Sequence, residues 1–299
     1  MDKSLNNFDN YQYYLKNNRL KVNIGKPGML YRGSRFDWSG FITQVILDDT
    51  HTFCVPESLV VGQGTGGCGL CNEFGSIDPV GYNEAKPGEK FLKIGVGFLT
   101  KNDNTPYSII GRYEIDPAHF TVEVKDHSAK FIVEHKECRG YGVRLEKIIE
   151  LRDNKLVINY LLINTGSKEI YTKEYCHNFI GVDNKSFGED YSLEFDYSIS
   201  TDRKVEVPAI DNNKILWRGT PKEEYFFKMS GYTHKIGNKW RLLNTASNVG
   251  VSEEVNFPIT MAAVWGKEHV VSPEIFIEIH LKPGESMSWK RSYEFFCIN

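Results

Sequence analysis

Strict alternation of apolar and polar residues recurs along this chain, and it confines the fold to pleated sheet with one face buried. The clearest case lies near the end of the sequence. Met287, Trp289, Tyr293 and Phe295 share one face with Arg291, while Ser286, Ser288, Lys290, Ser292 and Glu294 share the other. Phe120, Val122 and Val124 alternate with Thr121, Glu123 and Lys125, and Phe131 and Val133 alternate with Lys130, Ile132 and Glu134. Short turn signals separate such runs, among them Asp126-His127-Ser128, Asp153-Asn154, Asn164-Thr165-Gly166, Gly237-Asn238 and Lys282-Pro283-Gly284-Glu285. Tight turns join antiparallel neighbours, so the expected class is all-β, a large antiparallel β-sandwich. The run Leu156 to Ile163 is apolar on both faces and predicts a central strand covered on both sides by an extra layer. Helix is expected only as a short piece over Phe8 to Asn17.

No long polar, Pro-rich or Ser-rich stretch divides the 299 residues, which predicts one domain over 1–299. The segment Glu57 to Lys90 carries eight glycines and reads as irregular, a loop expected to fold over the mouth of a site. The 36 basic and 39 acidic residues are interspersed without a basic stripe, which argues against nucleic acid as a partner. The opening MDKSLNNFDNYQYYLKNN holds no apolar stretch of signal length, and no later segment is long and apolar enough for a bilayer. The chain therefore reads as cytoplasmic, without a membrane partner and with its six cysteines as thiols. Cys68 and Cys71 form a CxxC, but no second ligand pair follows, so the expectation is two small residues in a loop and no metal. The aromatic share of 13% suits pleated surfaces and also ring stacking on a sugar.

Four segments set polar groups on one face of an expected strand whose other face is core. In Pro273 to Leu281, Ile275, Ile277, Ile279 and Leu281 oppose Glu274, Phe276, Glu278 and His280. In Lys173 to Asp183, Tyr175, His177 and Phe179 follow Lys173 on one face, opposite Cys176, Ile180 and Val182. In Phe91 to Leu99, Lys93, Gly95 and Gly97 oppose Leu92, Ile94, Val96 and Phe98, leaving room beside a charge. In Tyr31 to Gly40, Arg35 and Asp37 share a face opposite Phe36 and Trp38. Each has an ordinary explanation: an Arg35–Asp37 pair, a solvated Lys93, a satisfied core histidine, a Glu274 that caps a turn.

Together these segments resemble a known family. Glu-Tyr-Cys-His-Asn-Phe at 174–179 is similar to the mid-chain histidine strand of the aldose 1-epimerases, the galactose mutarotases. Ser-Pro-Glu-Ile-Phe at 272–276 sits where those proteins carry a catalytic glutamate. Leu-Lys-Pro-Gly-Glu-Ser at 281–286 and a closing Trp-x-x-x-Tyr-x-Phe strand resemble the family's ending, and the likeness spans roughly residues 28 to 296. It implies a galactose mutarotase-like supersandwich binding a sugar on a concave sheet face, with no cofactor, because no electrons or groups are transferred. Glu274 would take the proton of the anomeric hydroxyl and His177 would protonate the ring oxygen. Arg35, Asp37, Glu73, Lys93, Tyr175 and Phe276 are the expected substrate contacts. The family's upstream histidine is missing; Lys93 is the nearest counterpart, which admits a phosphorylated or acidic sugar met by Lys93 and Arg35. The alternative is a non-catalytic carbohydrate-binding or sensing protein on the same scaffold. A hydrolase or lyase of larger saccharides fits less well, since such enzymes are usually longer and exported. The oligomeric state stays open.

Overall fold

The computed structural model describes residues 9–203, 208–233 and 236–298. Among them, two ten-stranded sheets face each other and a three-stranded sheet lies apart, with every pairing antiparallel. The first sheet runs Gln12–Lys16, Leu20–Gly25, Phe41–Leu47, Gly69–Phe74, Ile170–Phe179, Val270–Leu281, Met261–Lys267, Tyr225–Ser230, Ser200–Thr201, with His51–Thr52 paired to Phe41–Leu47. The second runs Ala209–Asp211, Lys214–Leu216, Tyr191–Phe195, Lys239–Asn244, Val249–Val255, Ser286–Cys297, Lys155–Asn164, Val143–Arg152, Ser128–Glu134, His119–Lys125. The small sheet joins Lys90–Lys93, Gly97–Thr100 and Ile115–Pro117. The fold is all-β.

The alternating faces form the main core. Ile275, Ile277, Ile279 and Leu281 of the first sheet meet Leu145, Ile158, Leu162, Trp289, Tyr293 and Phe295 of the second. Each such aliphatic side chain contributes about 1.5–3 kcal/mol on leaving water. A second, aromatic-rich cluster covers the outer face of the first sheet. It gathers Phe91 and Leu99 of the small sheet and Val96 of its hairpin turn with Cys71, Phe179, Trp265 and Val270 of the first, and with Tyr31, Phe36 and Trp38.

Five expectations are corrected. Over Phe8 to Asn17 (Phe8 lies outside the described residues), one 3-10 turn at Asp9–Tyr11 leads into the strand Gln12–Lys16, because Leu15 points into the core as an edge strand pairs with Leu20–Gly25. The segment 57–90 is not all loop: Gly69–Phe74 is an inner strand, hidden in the sequence because both of its faces are buried. Gly69 has φ +62°, and a Cβ there would stand 2.2 Å from the Ile42 carbonyl oxygen, so only glycine fits that approach. Phe91 to Leu99 is a hairpin rather than one strand, turning at residues 94–96. At its tip Gly95 has φ +82°, and a Cβ would lie 2.4 Å from the Asp37 carboxylate. Residues 31–40 form turns, so Arg35 and Asp37 share no strand face. The extra layer lies on the first sheet; on Lys155–Asn164 the second face stays half-open at Asn159, Leu161 and Ile163.

Candidate active site

Register explains how His177 and Glu274 meet. Ile170–Phe179 pairs with Val270–Leu281 so that Lys173 faces Glu278 and Tyr175 faces Phe276. One step further along the same register sets His177 beside Glu274. On the other flank Tyr175 faces Glu73 and His177 faces Cys71, and beyond Glu274 comes Ala263. Two cross-strand rows result, Cys71–His177–Glu274–Ala263 and Glu73–Tyr175–Phe276–Met261. The outer faces of both strands are exposed at Tyr171 and His280 and become buried towards His177 and Glu274, where the aromatic layer covers them.

His177 Nε2 lies 3.2 Å from Glu274 Oε1. The imidazole stacks on Phe179 at 3.9 Å and meets Trp265 edge-on at 5.3 Å, and Tyr175 stacks on Phe276 at 4.3 Å. Burial pushes the Glu274 carboxyl up to about 8; the Glu73 charge adds to this, and Arg35 and a 3.4 Å hydrogen bond from Ser272 offset it only in part. Burial, reinforced by the Arg35 charge, holds His177 well below its ordinary value. Both shifts favour the uncharged forms, a protonated Glu274 carboxyl beside a neutral imidazole. His177 Nδ1 is buried and has no hydrogen-bond partner.

Beside this pair, Glu73 is fully buried and binds three donors. Arg35 Nε donates to Oε2 at 2.9 Å, the Tyr175 hydroxyl donates to Oε2 at 2.6 Å, and Lys93 Nζ lies 3.4 Å from Oε1. Burial alone would raise the Glu73 carboxyl, but Arg35, Lys93 and Tyr175 together hold it below its ordinary value. Burial lowers Lys93 to about 8 against the pull of Glu73. Arg35 also donates to Tyr175 at 3.0 Å and to the Thr65 hydroxyl at 3.1 Å, and it approaches Glu57 at 3.8 Å. The glycine-rich loop thus borders this end of the site, tied down by Glu57, which accepts from Thr65 N and Gly67 N.

Six of the expected site residues gather on this face: His177, Glu274, Glu73, Lys93, Tyr175 and Phe276, with Arg35 joining them from its turn. Asp37 does not. Its carboxylate is taken by Lys147 Nζ at 2.6 Å and by Ser39, inside a buried network that includes Asn72. Sequence reasoning missed Glu57, Thr65, Phe36 and Trp265. Trp265 lies in Met261–Lys267, apolar and buried on both faces and so without alternation; Glu57 and Thr65 lie in loop and carry no periodic signal. The CxxC thiols are free: Cys71 Sγ contacts the His177 carbonyl and Cys68 Sγ the Thr43 carbonyl.

The raised carboxyl has a consequence for stability. Between pH 6.5 and 8 folded Glu274 keeps a proton that the unfolded carboxyl has lost, so its contribution falls as pH rises through that window. Below pH 6.5 the unfolded His177 ring takes up a proton that the folded ring refuses, which opposes the trend. Glu274→Gln should gain on wild type from pH 6.5 to 8, at up to about 1.4 kcal/mol per pH unit crossed. Chemical denaturation across that window measures it; a constant difference between the two proteins would contradict a buried protonated carboxyl.

Neither a scan of protein-family models nor a search of curated protein sequences found a match. Solved structures do match. A candidate aldose 1-epimerase from Escherichia coli K12 shares 13% identity, with a TM-score of 0.64 over 96% of this chain and 99% of that one. A galactose mutarotase related enzyme from Lactobacillus acidophilus shares 14%, with a TM-score of 0.60 over 96% and 98%. A galactose mutarotase-like protein from Lactobacillus casei shares 13%, with a TM-score of 0.60 over 95% and 100%. The fold is that of the galactose mutarotase-like β-sandwiches. No helix among the described residues is long and apolar enough to cross a membrane.

Proposed function

We propose that this chain is an aldose 1-epimerase-like isomerase that interconverts the anomers of an aldose or sugar phosphate. The observation that carries the reading is the His177–Glu274 contact: an imidazole and a carboxyl 3.2 Å apart in a buried aromatic setting. Anomer exchange needs one group to accept the anomeric hydroxyl's proton and another to deliver a proton to the ring oxygen. The C1–O5 bond then breaks, the aldehyde turns about C1–C2, and the reverse steps close the ring on the other face. Protons are conserved over the cycle, so a pair with a single mobile proton suffices. With the proton resting on Glu274, the neutral imidazole accepts from the anomeric hydroxyl and the carboxyl delivers to the ring oxygen, the reverse of the roles that the resemblance implies. The stacked Tyr175–Phe276 pair offers an apolar floor for a pyranose.

Arg35 and Lys93 are already paired with Glu73, so neutral aldoses and their phosphates both belong in the test. One feature favours a non-catalytic sugar binder: where the resemblance expects a second imidazole, this chain has Lys93, buried and held by Glu73. Exchange NMR on wild type with D-glucose, D-galactose and their 6-phosphates separates the two readings. Faster α–β exchange of one sugar supports the isomerase; tight binding without faster exchange supports the binder.

A further inference from the structure

The segment between Gly97–Thr100 and Ile115–Pro117 of the small sheet delivers a tyrosine to the site that neither the alternation nor the resemblance singles out. Tyr107 stacks on Tyr113 at 5.4 Å with the rings 16° apart, and it meets Phe91 and Tyr82 edge-on. Lys93 Nζ stands 5.2 Å from the centre of its ring. Burial, the Glu73 charge and the neighbouring Tyr113 keep the phenol protonated, so it is a donor. Yet the hydroxyl is buried and makes no hydrogen bond. Buried tyrosine hydroxyls usually find partners, and leaving one unmade costs about 1–3 kcal/mol. Glu73 does not take it: Arg35 and Tyr175 donate to Oε2, Lys93 faces Oε1, and the Tyr107 hydroxyl bonds to neither oxygen. Three aromatic contacts and the Lys93 ammonium fix the ring, so the hydroxyl is held at the Glu73–Lys93 end of the site with its donor unspent.

We propose that Tyr107 is a specificity-determining residue whose hydroxyl donates to one hydroxyl of the bound sugar, distal to the carbon handled by His177 and Glu274. This rests on the isomerase reading of the same site. A donor of this kind selects strongly, because a sugar lacking the matching hydroxyl leaves the phenol buried and unpaired. The stacking on Tyr113 supplies the rigidity that such selection requires.

The test is calorimetric binding of D-glucose, D-galactose and their monodeoxy derivatives to wild type and Tyr107→Phe, with melting temperatures alongside. Tyr107→Phe should bind the parent sugar about tenfold more weakly, the equivalent of one hydrogen bond. It should bind one monodeoxy derivative as wild type does, and its melting temperature should be unchanged or higher. Equal weakening towards every derivative, or a lower melting temperature with unchanged affinities, would assign Tyr107 a structural role and overturn the proposal. If Tyr107→Phe changes no affinity while Glu274→Gln abolishes anomer exchange, this inference falls and the isomerase reading stands. If wild type binds no sugar of the panel, both fall.

Discussion

Arg291→Met is expected to lower the unfolding free energy by about 3–5 kcal/mol, because it strands two buried carboxylates. Arg291 is fully buried in the second sheet. It donates to Glu253 Oε1 at 2.9 Å, to Glu174 Oε2 at 2.8 Å and to the Ile275 carbonyl at 2.9 Å. Glu174 lies on the histidine strand and Ile275 is next to Glu274, so a single guanidinium ties both site strands to the opposite sheet. The network continues: the single Tyr293 hydroxyl proton lies between Glu253 Oε1 and Asn178 Oδ1, and Asn72 donates to Glu174 while accepting from Lys147. Paired with apolar replacements at Glu174 and Glu253, the same arginine substitution should recover much of the loss, since a well-packed apolar triad avoids the desolvation cost of all three charges. Urea denaturation of the single and triple variants measures both effects. A single variant within about 1 kcal/mol of wild type would show that the carboxylates relax into water or take up protons without penalty.

Arg291 also shows what the sequence made legible. It falls on the core face of Met287 to Phe295 by alternation alone, and the structure keeps it there; its two carboxylate partners come from strands whose register no local pattern states. The alternation located the outward faces of 173–179 and 273–281 correctly, and with them Tyr175, His177, Glu274 and Phe276. It failed where a strand is buried on both faces, as at Gly69–Phe74, because period two disappears when neither face is wet. Lys93 was placed on a site-facing surface although the strand supposed to carry it is a hairpin, since Gly95 and Gly97 signal a tight turn as readily as open space. Arg35 and Asp37 were paired by spacing that only a strand gives meaning to. In a turn they part, Arg35 to Glu73 and Asp37 to Lys147. Tyr107 reaches the site through tertiary packing of a small sheet, which leaves no trace in local periodicity.

The second large effect concerns the proton itself. A positioned acid or base typically contributes about a hundredfold to ten-thousandfold in rate. Glu274→Gln keeps the shape and removes the mobile proton; His177→Asn keeps a polar group and removes the imidazole. Because Glu274 is buried and carries no ion pair that the core depends on, its amide variant should fold and bind sugar nearly as wild type does. Losing His177 also removes a ring packed on Phe179 and Trp265, so that variant should bind somewhat less well while losing turnover to a similar extent.

Exchange NMR between α and β anomers, on the sugar that wild type accelerates, therefore tests the central claim most directly. The pair predicts that both variants fall at least about a hundredfold below wild type while saturation binding of the same sugar persists for Glu274→Gln. Full exchange rates in both variants would contradict the assignment of His177 and Glu274 as the groups that move the proton.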